Sequence, residues 1–301
     1  MNFDIKQNTT LLRADRGGTT WWAWVLGGLI GLSVPSFLAL VGVLGRNIPQ
    51  DAIGADYLAG VLWAVVLALG ILVAPVPFQD RRALLVLWGA KCFVTLGFML
   101  VYEYTYGLDS YMYFEESIRE VRPSPELNPD LGGGTETIAV LAWYHARVLP
   151  ESFHALKVSF SMVGLIAVYL FYRAVNLYHP LENAAVLYFL GLFPSILFWS
   201  SVLGKDPLVL LGIALYAFGT VGLARRRRLL FFIPLVGGVL IAMAIRTWLG
   251  PILLLPLLVI GFREVHGVFR KAAFLGVLVF GAGGAITAFR EAMAIRAWQD
   301  L

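Results

Sequence analysis

Long apolar runs separated by short polar stretches organise the whole chain. Runs long enough to cross a bilayer as helices, or nearly so, lie at about 22–45, 57–77, 83–103, 156–175, 183–203, 207–223, 229–247, 250–262 and 272–289. The pattern predicts an all-α protein, a polytopic transmembrane helix bundle of about nine spans. Pro35 and Pro194 fall inside runs and are expected to kink or break them, because proline removes a backbone donor and clashes with the preceding turn.

The longest polar interruption lies between the third and fourth spans, over 104–155. Loops of that length are uncommon unless they carry function. This one has its own helical pattern. Asp109 can cap a short amphipathic helix over 109–121, with Tyr111, Tyr113 and Phe114 set to touch the membrane interface. A turn rich in proline and glycine follows over 122–134. A second helical stretch over 135–148 offers Ile138, Leu141, Ala142 and Trp143 as its apolar positions.

Composition changes the picture in one respect. Hydrophobic residues make up 59% of the chain and charged residues 14%, more apolar surface than one soluble core can bury. Residues 1–301 are therefore expected to form a single integral membrane domain. The apolar run after the polar first twenty residues is too long for a signal-peptide core and is expected to be a retained anchor. Cys92 is the only cysteine, so neither an intramolecular disulfide nor a cysteine-rich metal site is available.

The basic residues set an orientation. Lys6, Arg13, Arg16, Arg81, Arg82, Arg173, the run Arg225–Arg228, Arg263, Arg270 and Lys271 all fall on one side when spans are counted alternately. By the positive-inside rule that side is cytoplasmic. The four arginines in a row are thus a topology signal before they are a binding site, and the net charge of +4 calls for no nucleic acid. The N-terminus is expected in the cytoplasm and the C-terminus on the opposite side of the membrane.

The opposite side receives the acidic loop (Glu103, Asp109, Glu115, Glu116, Glu120, Glu126, Asp130, Glu136 and Glu151), the Lys205-Asp206 turn, and Arg246. The stretch from Phe193 to Pro207 ends an apolar run in Ser200, Ser201 and Gly204, then shows a lysine and an aspartate before the next run. Asp206 before Pro207 reads as a helix N-cap or as a functional carboxylate. Lys205 reads as a snorkelling lysine or as part of a site. Lys91, deep in the third span, needs a carboxylate partner or a hydrated cavity, or else snorkels. The glycines of 132–134 form no phosphate-binding loop and read as a hinge before a helix; His145 and His154 match no metal-ligand spacing.

A carboxylate at a polar–apolar boundary can act as general base towards a sugar hydroxyl, and cations at the same depth can hold a phosphate leaving group. Those are the parts for moving a sugar from a lipid-phosphate carrier.

The motifs Gly107-Leu-Asp-Ser-Tyr-Met-Tyr113, Gly134-Thr135, Leu149-Pro-Glu-Ser-Phe153, Phe171-Tyr-Arg-Ala174, Pro194-Ser-Ile-Leu-Phe-Trp-Ser-Ser201 with Lys205-Asp206, and Ile245-Arg-Thr-Trp248 follow one another over about half the chain. In that order the chain resembles the multi-spanning proteins of bacterial polysaccharide gene clusters, which look like relatives of the GT-C glycosyltransferases. The resemblance implies a polyprenyl-phosphate-linked sugar donor and an essential aspartate in an extracytoplasmic loop, which Asp109 matches. Lys205, Asp206 and Arg246 match the later polar motif.

The expectation is an inverting glycosyltransferase with Asp109 as base. Lys205, Asp206, Arg246, Tyr111 and Tyr113 are expected to bind substrate. A glycan or lipid-linked acceptor and membrane lipids are the other expected partners. No cofactor is expected, and the sequence leaves a divalent metal open. A polysaccharide polymerase, or a transporter or assembly subunit of the same pathway, fits the same features.

Overall fold

The computed structural model describes residues 33–106, 109–120, 133–179 and 184–264. Among these, helix is the only regular secondary structure and there are no strands. Helix α1 is described over Ser33–Leu44. It is followed by α2 (Ile53–Val73), α3 (Phe78–Cys92), a π-helical stretch Phe93–Phe98 and α4 (Met99–Tyr106). Two short helices come next, α5 (Ser110–Ile118) and α6 (Gly134–Val148), then the long α7 (Phe153–Tyr178). Beyond it lie α8 (Ala185–Leu192), α9 (Pro194–Trp199), α10 (Lys205–Arg226), α11 (Phe232–Ile245) and α12 (Leu249–Glu264).

Four helical stretches are long and apolar enough to cross a membrane: Ile53–Val73, Phe78–Tyr106, Phe153–Tyr178 and Lys205–Arg226. They answer to the runs expected at 57–77, 83–103, 156–175 and 207–223: the first starts and ends four residues earlier, and the other three extend beyond their runs, because helix ends lie in the polar residues that flank an apolar run. The expected span 183–203 is different. It is broken at Phe193, where Pro194 takes the first position of α9, and it ends at Ser200. The expected turn 122–134 and last span 272–289 lie almost wholly outside the described residues.

Helix α7 is the axis of the bundle, packed on α10, α2 and α3. Tyr57, Leu84, Leu87, Trp88, Val158, Leu165 and Val168 form the shared core, with Tyr57 donating to the Leu96 carbonyl at 3.1 Å and the Trp88 indole to the Ala64 carbonyl at 3.0 Å. Helices α10 and α11 meet through Gly212, Gly219, Gly238 and Ala242, whose small size lets the two backbones approach as membrane helices require. Arg227 ends α10 in the left-handed conformation (φ 52°), which closes a helix and frees its last carbonyls for capping.

The described part of the segment between α4 and α7 is folded against the bundle. Tyr113 and Phe114 of α5 and Ile138 and Ala142 of α6 are buried with Phe153, Leu156 and Phe160 of α7 and Ile245 of α11. This corrects the expectation that Tyr113 and Phe114 touch the membrane interface: the apolar face of α5 covers protein. Gly134 lets α6 start on top of α11, since a Cβ there would fall on the Ile245 carbonyl. The Thr137 hydroxyl donates to the Ala244 carbonyl beside it, at 3.4 Å.

Candidate functional site

Asp109 occupies the N-cap position of α5, and its carbonyl receives the Tyr113 amide at 3.0 Å. Its carboxylate makes no capping bond, and the residue is exposed. The capping role that sequence allows for the side chain is thus left unused, and the carboxylate lies beside the Tyr113 phenol instead.

Tyr113 ties the site together. Burial, then the nearby Asp109 carboxylate, push its phenol above the ordinary range; a hydrogen bond with Thr135 pulls the other way, and Asp206 adds to the rise. A single buried phenol thereby faces the start of α5, the start of α6 and the start of α10. Tyr111 stacks on Phe153 with ring centres 5.4 Å apart. Burial, and next the Glu103 carboxylate, push its phenol up to about 12, so it remains a hydrogen-bond donor at neutral pH.

Asp206 is not the N-cap of α10. Gly204 holds that position, Lys205 is the first helical residue, and Asp206 lies in the first turn, where a carboxylate still suits the helix dipole. Its carboxylate accepts from the Arg246 guanidinium at 3.2 Å, both side chains being about two-fifths exposed. Arg246 follows the last residue of α11 and keeps further N–H groups for a second anion. Lys205, half-buried, makes no ion pair among the described residues. Beneath Asp206 an apolar groove of about 380 Å³ runs between α9 and α10, lined among others by Ser195, Trp199, Ser200, Leu210 and Ile213. Asp206 lines this groove directly, and Arg246 reaches it through Asp206.

Among the described residues Lys91 has no carboxylate partner, and it does not snorkel. It is fully buried, and its ammonium donates to the Ser200 carbonyl at 2.8 Å, the Ser200 hydroxyl at 2.6 Å and the Ser201 hydroxyl at 3.2 Å. Thr95, inside the π-helical stretch, donates to the Ser201 carbonyl at 3.0 Å. The freed carbonyls at the broken end of α9 are therefore satisfied by an ammonium and a hydroxyl from the neighbouring helix, as buried backbone groups must be. Gly164 of α7 allows the approach, for a Cβ there would fall on the Ser200 carbonyl.

Two pairings carry no signal in the sequence. Asp56 of α2 holds His154 at 2.5 Å and the Phe153 amide at 2.9 Å. Lys157 pairs with Glu103 at 2.5 Å, both fully buried. A lone aspartate or glutamate at the edge of an apolar run is legible, but its partner's position is not. His145 meets Ser159 at 2.8 Å, and burial pulls its imidazole down to about 4.

No cluster of metal-ligating side chains occurs among the described residues. Comparisons with family models, with curated proteins and with solved structures find no match to this chain.

Proposed function

We propose that the protein is a membrane glycosyltransferase of the GT-C type, acting at the extracytoplasmic face of a bacterial inner membrane in cell-surface polysaccharide assembly. On this reading the bundle has about nine spans, with α5 and α6 outside. The donor is a polyprenyl-phosphate-linked sugar, and the acceptor is a glycan or a lipid-linked saccharide.

The observation that carries this reading is the carboxylate of Asp109. It is exposed, takes no part in capping, and shares the Tyr113 phenol with the Asp206–Arg246 pair. Asp109 takes the proton of the acceptor hydroxyl as its oxygen bonds to the anomeric carbon. The bond from that carbon to the phosphate oxygen breaks, the electron pair leaves with the phosphate, and the configuration inverts. Arg246 and Lys205 meet the charge that develops there. The groove between α9 and α10 offers an apolar bed for the carrier's chain, bordered by the Asp206 that holds Arg246.

Purified protein in nanodiscs, given a panel of polyprenyl-phosphate hexoses and saccharide acceptors, tests the reading by release of polyprenyl phosphate. Turnover is expected. Binding without turnover would favour a transporter or assembly subunit instead, a reading supported by the buried Lys91 at the broken end of α9.

A further inference from the structure

No step above uses Asp56, His154, Lys157 or Glu103. His154 and Lys157 lie a turn apart on one face of α7, and all four side chains are buried: His154 and Lys157 at 0% exposure, Glu103 at 1%, Asp56 at 7%. His154 Nδ1 sits 2.5 Å from Asp56 Oδ2, and Lys157 Nζ sits 2.5 Å from Glu103 Oε2. Lys157 is also within electrostatic reach of His154, so the two pairs form one row.

Part of the row is architectural. Asp56 receives the Phe153 amide at 2.9 Å, and its backbone carbonyl receives the Ser152 hydroxyl at 3.0 Å, which fixes the start of α7. That tether explains neither the second ion pair nor the imidazole. Among the described residues His154 Nε2 is buried with no hydrogen-bond partner, an uncommon and costly state for a polar atom.

Charge counting gives the row two states. With a neutral imidazole, Asp56 and Glu103 bring two negative charges against the single positive charge of Lys157, leaving one net negative charge buried. With an imidazolium the row is neutral. A net charge in a low-dielectric interior is expensive and a balanced row is much less so.

We propose that this row is a proton-binding site: His154 takes one proton from water and returns it to water, and the charge state of the row is felt by α5. The route to α5 is short. Glu103 adjoins Ser110 and Tyr111, and Tyr111 stacks on Phe153, the residue before His154. The groups facing His154 are Asp56 and Tyr57 of α2 and Lys157 of its own helix, with Glu103 of α4 beyond Lys157 and Tyr111 of α5 beside Glu103. Protonation is thereby coupled to the helix that opens at Asp109. The proposal stands whatever chemistry Asp109 performs.

The chain has only four histidines, so nitrogen-15 NMR of histidine-labelled protein in nanodiscs can follow each ring, with His154→Gln assigning the signal. The His154 resonances should change between neutral and imidazolium forms within about pH 5–9. Glu103→Gln removes a negative charge from the row, so the change should need at least about tenfold more protons, one pH unit. Glu103→Gln/Lys157→Met removes both charges and should return the change to within about threefold of wild type. In wild type, amide exchange across Ser110–Ile118 should differ on the two sides of the change. His154 signals that stay constant over that range overturn the proposal, as does an unaltered change in Glu103→Gln. Should either variant fail to fold, the wild-type titration and the α5 exchange decide the matter by themselves.

Discussion

Arg246 reaches Asp206 across 40 residues of sequence, guanidinium to carboxylate at 3.2 Å, and so joins the end of α11 to the first turn of α10. The pair is half-exposed, so its worth as a stabilising contact is small. Its consequence is placement, because it sets a guanidinium with unused donors at the rim of an apolar groove.

If that guanidinium holds the carrier's phosphate, Arg246→Ala should weaken binding of polyprenyl phosphate by about ten- to a hundredfold, the worth of charge-assisted hydrogen bonds. Asp206→Asn should leave binding equal or tighter, since it releases the guanidinium. Fluorescence titration in nanodiscs reads both. Equal affinity in Arg246→Ala would remove the phosphate role.

The broken end of α9 rests on a close approach at Gly164. Gly164→Val should displace the Ser200 carbonyl from Lys91 and cost about 1–3 kcal/mol, as overpacking does. Gly89→Ala, two residues before Lys91, meets open space and should be neutral or stabilising by up to about 1 kcal/mol. Thermal unfolding in detergent distinguishes the two. Comparable melting temperatures would mean that the contact does not constrain the helix.

His145 gives stability a pH dependence of known sign. Burial lowers its imidazole from 6.5 to about 4 in the folded chain, so the unfolded chain binds more protons between those values. The contribution is complete above 6.5 and is lost as the pH falls towards 4. The melting temperature should therefore fall over that window in wild type, and His145→Gln should flatten the fall. An identical slope in the variant would show that another group is responsible.

Orientation is tested by alkaline phosphatase fusions. A fusion after Glu126 should be active and one after Arg228 inactive, as expected from the arginine placement. The reverse pattern would put Asp109 in the cytoplasm and remove the lipid-linked donor.

The helices were legible because bilayer length and apolar composition are local properties. So was the short helix after Asp109. What α5 packs against was not, since an amphipathic stripe fits lipid and protein equally well; Tyr113 and Phe114 face protein. Lys91 announced itself as a buried charge, but its partners lie 109 and 110 residues away and are serines. Asp56 and His154 are 98 residues apart. No spacing encodes such meetings, which arise only once α2 and α3 pack on α7. Asp109, Asp206 and Arg246 were legible as polar residues at span ends, whereas Tyr113 as the group between them required the fold.

The most direct measurement is the transfer rate of Asp109→Asn beside Glu115→Gln and Glu116→Gln. Asparagine keeps the size of the aspartate and one acceptor oxygen but cannot take a proton from a hydroxyl, and the Asp109 side chain makes no capping bond to lose. Asp109→Asn should lower the rate on the order of a hundredfold or more with the melting temperature unchanged, while the two glutamine variants remain near wild type. Near-normal transfer by Asp109→Asn, with either glutamine variant inactive, would contradict the assignment of the base, and full activity in all three would contradict the carboxylate mechanism.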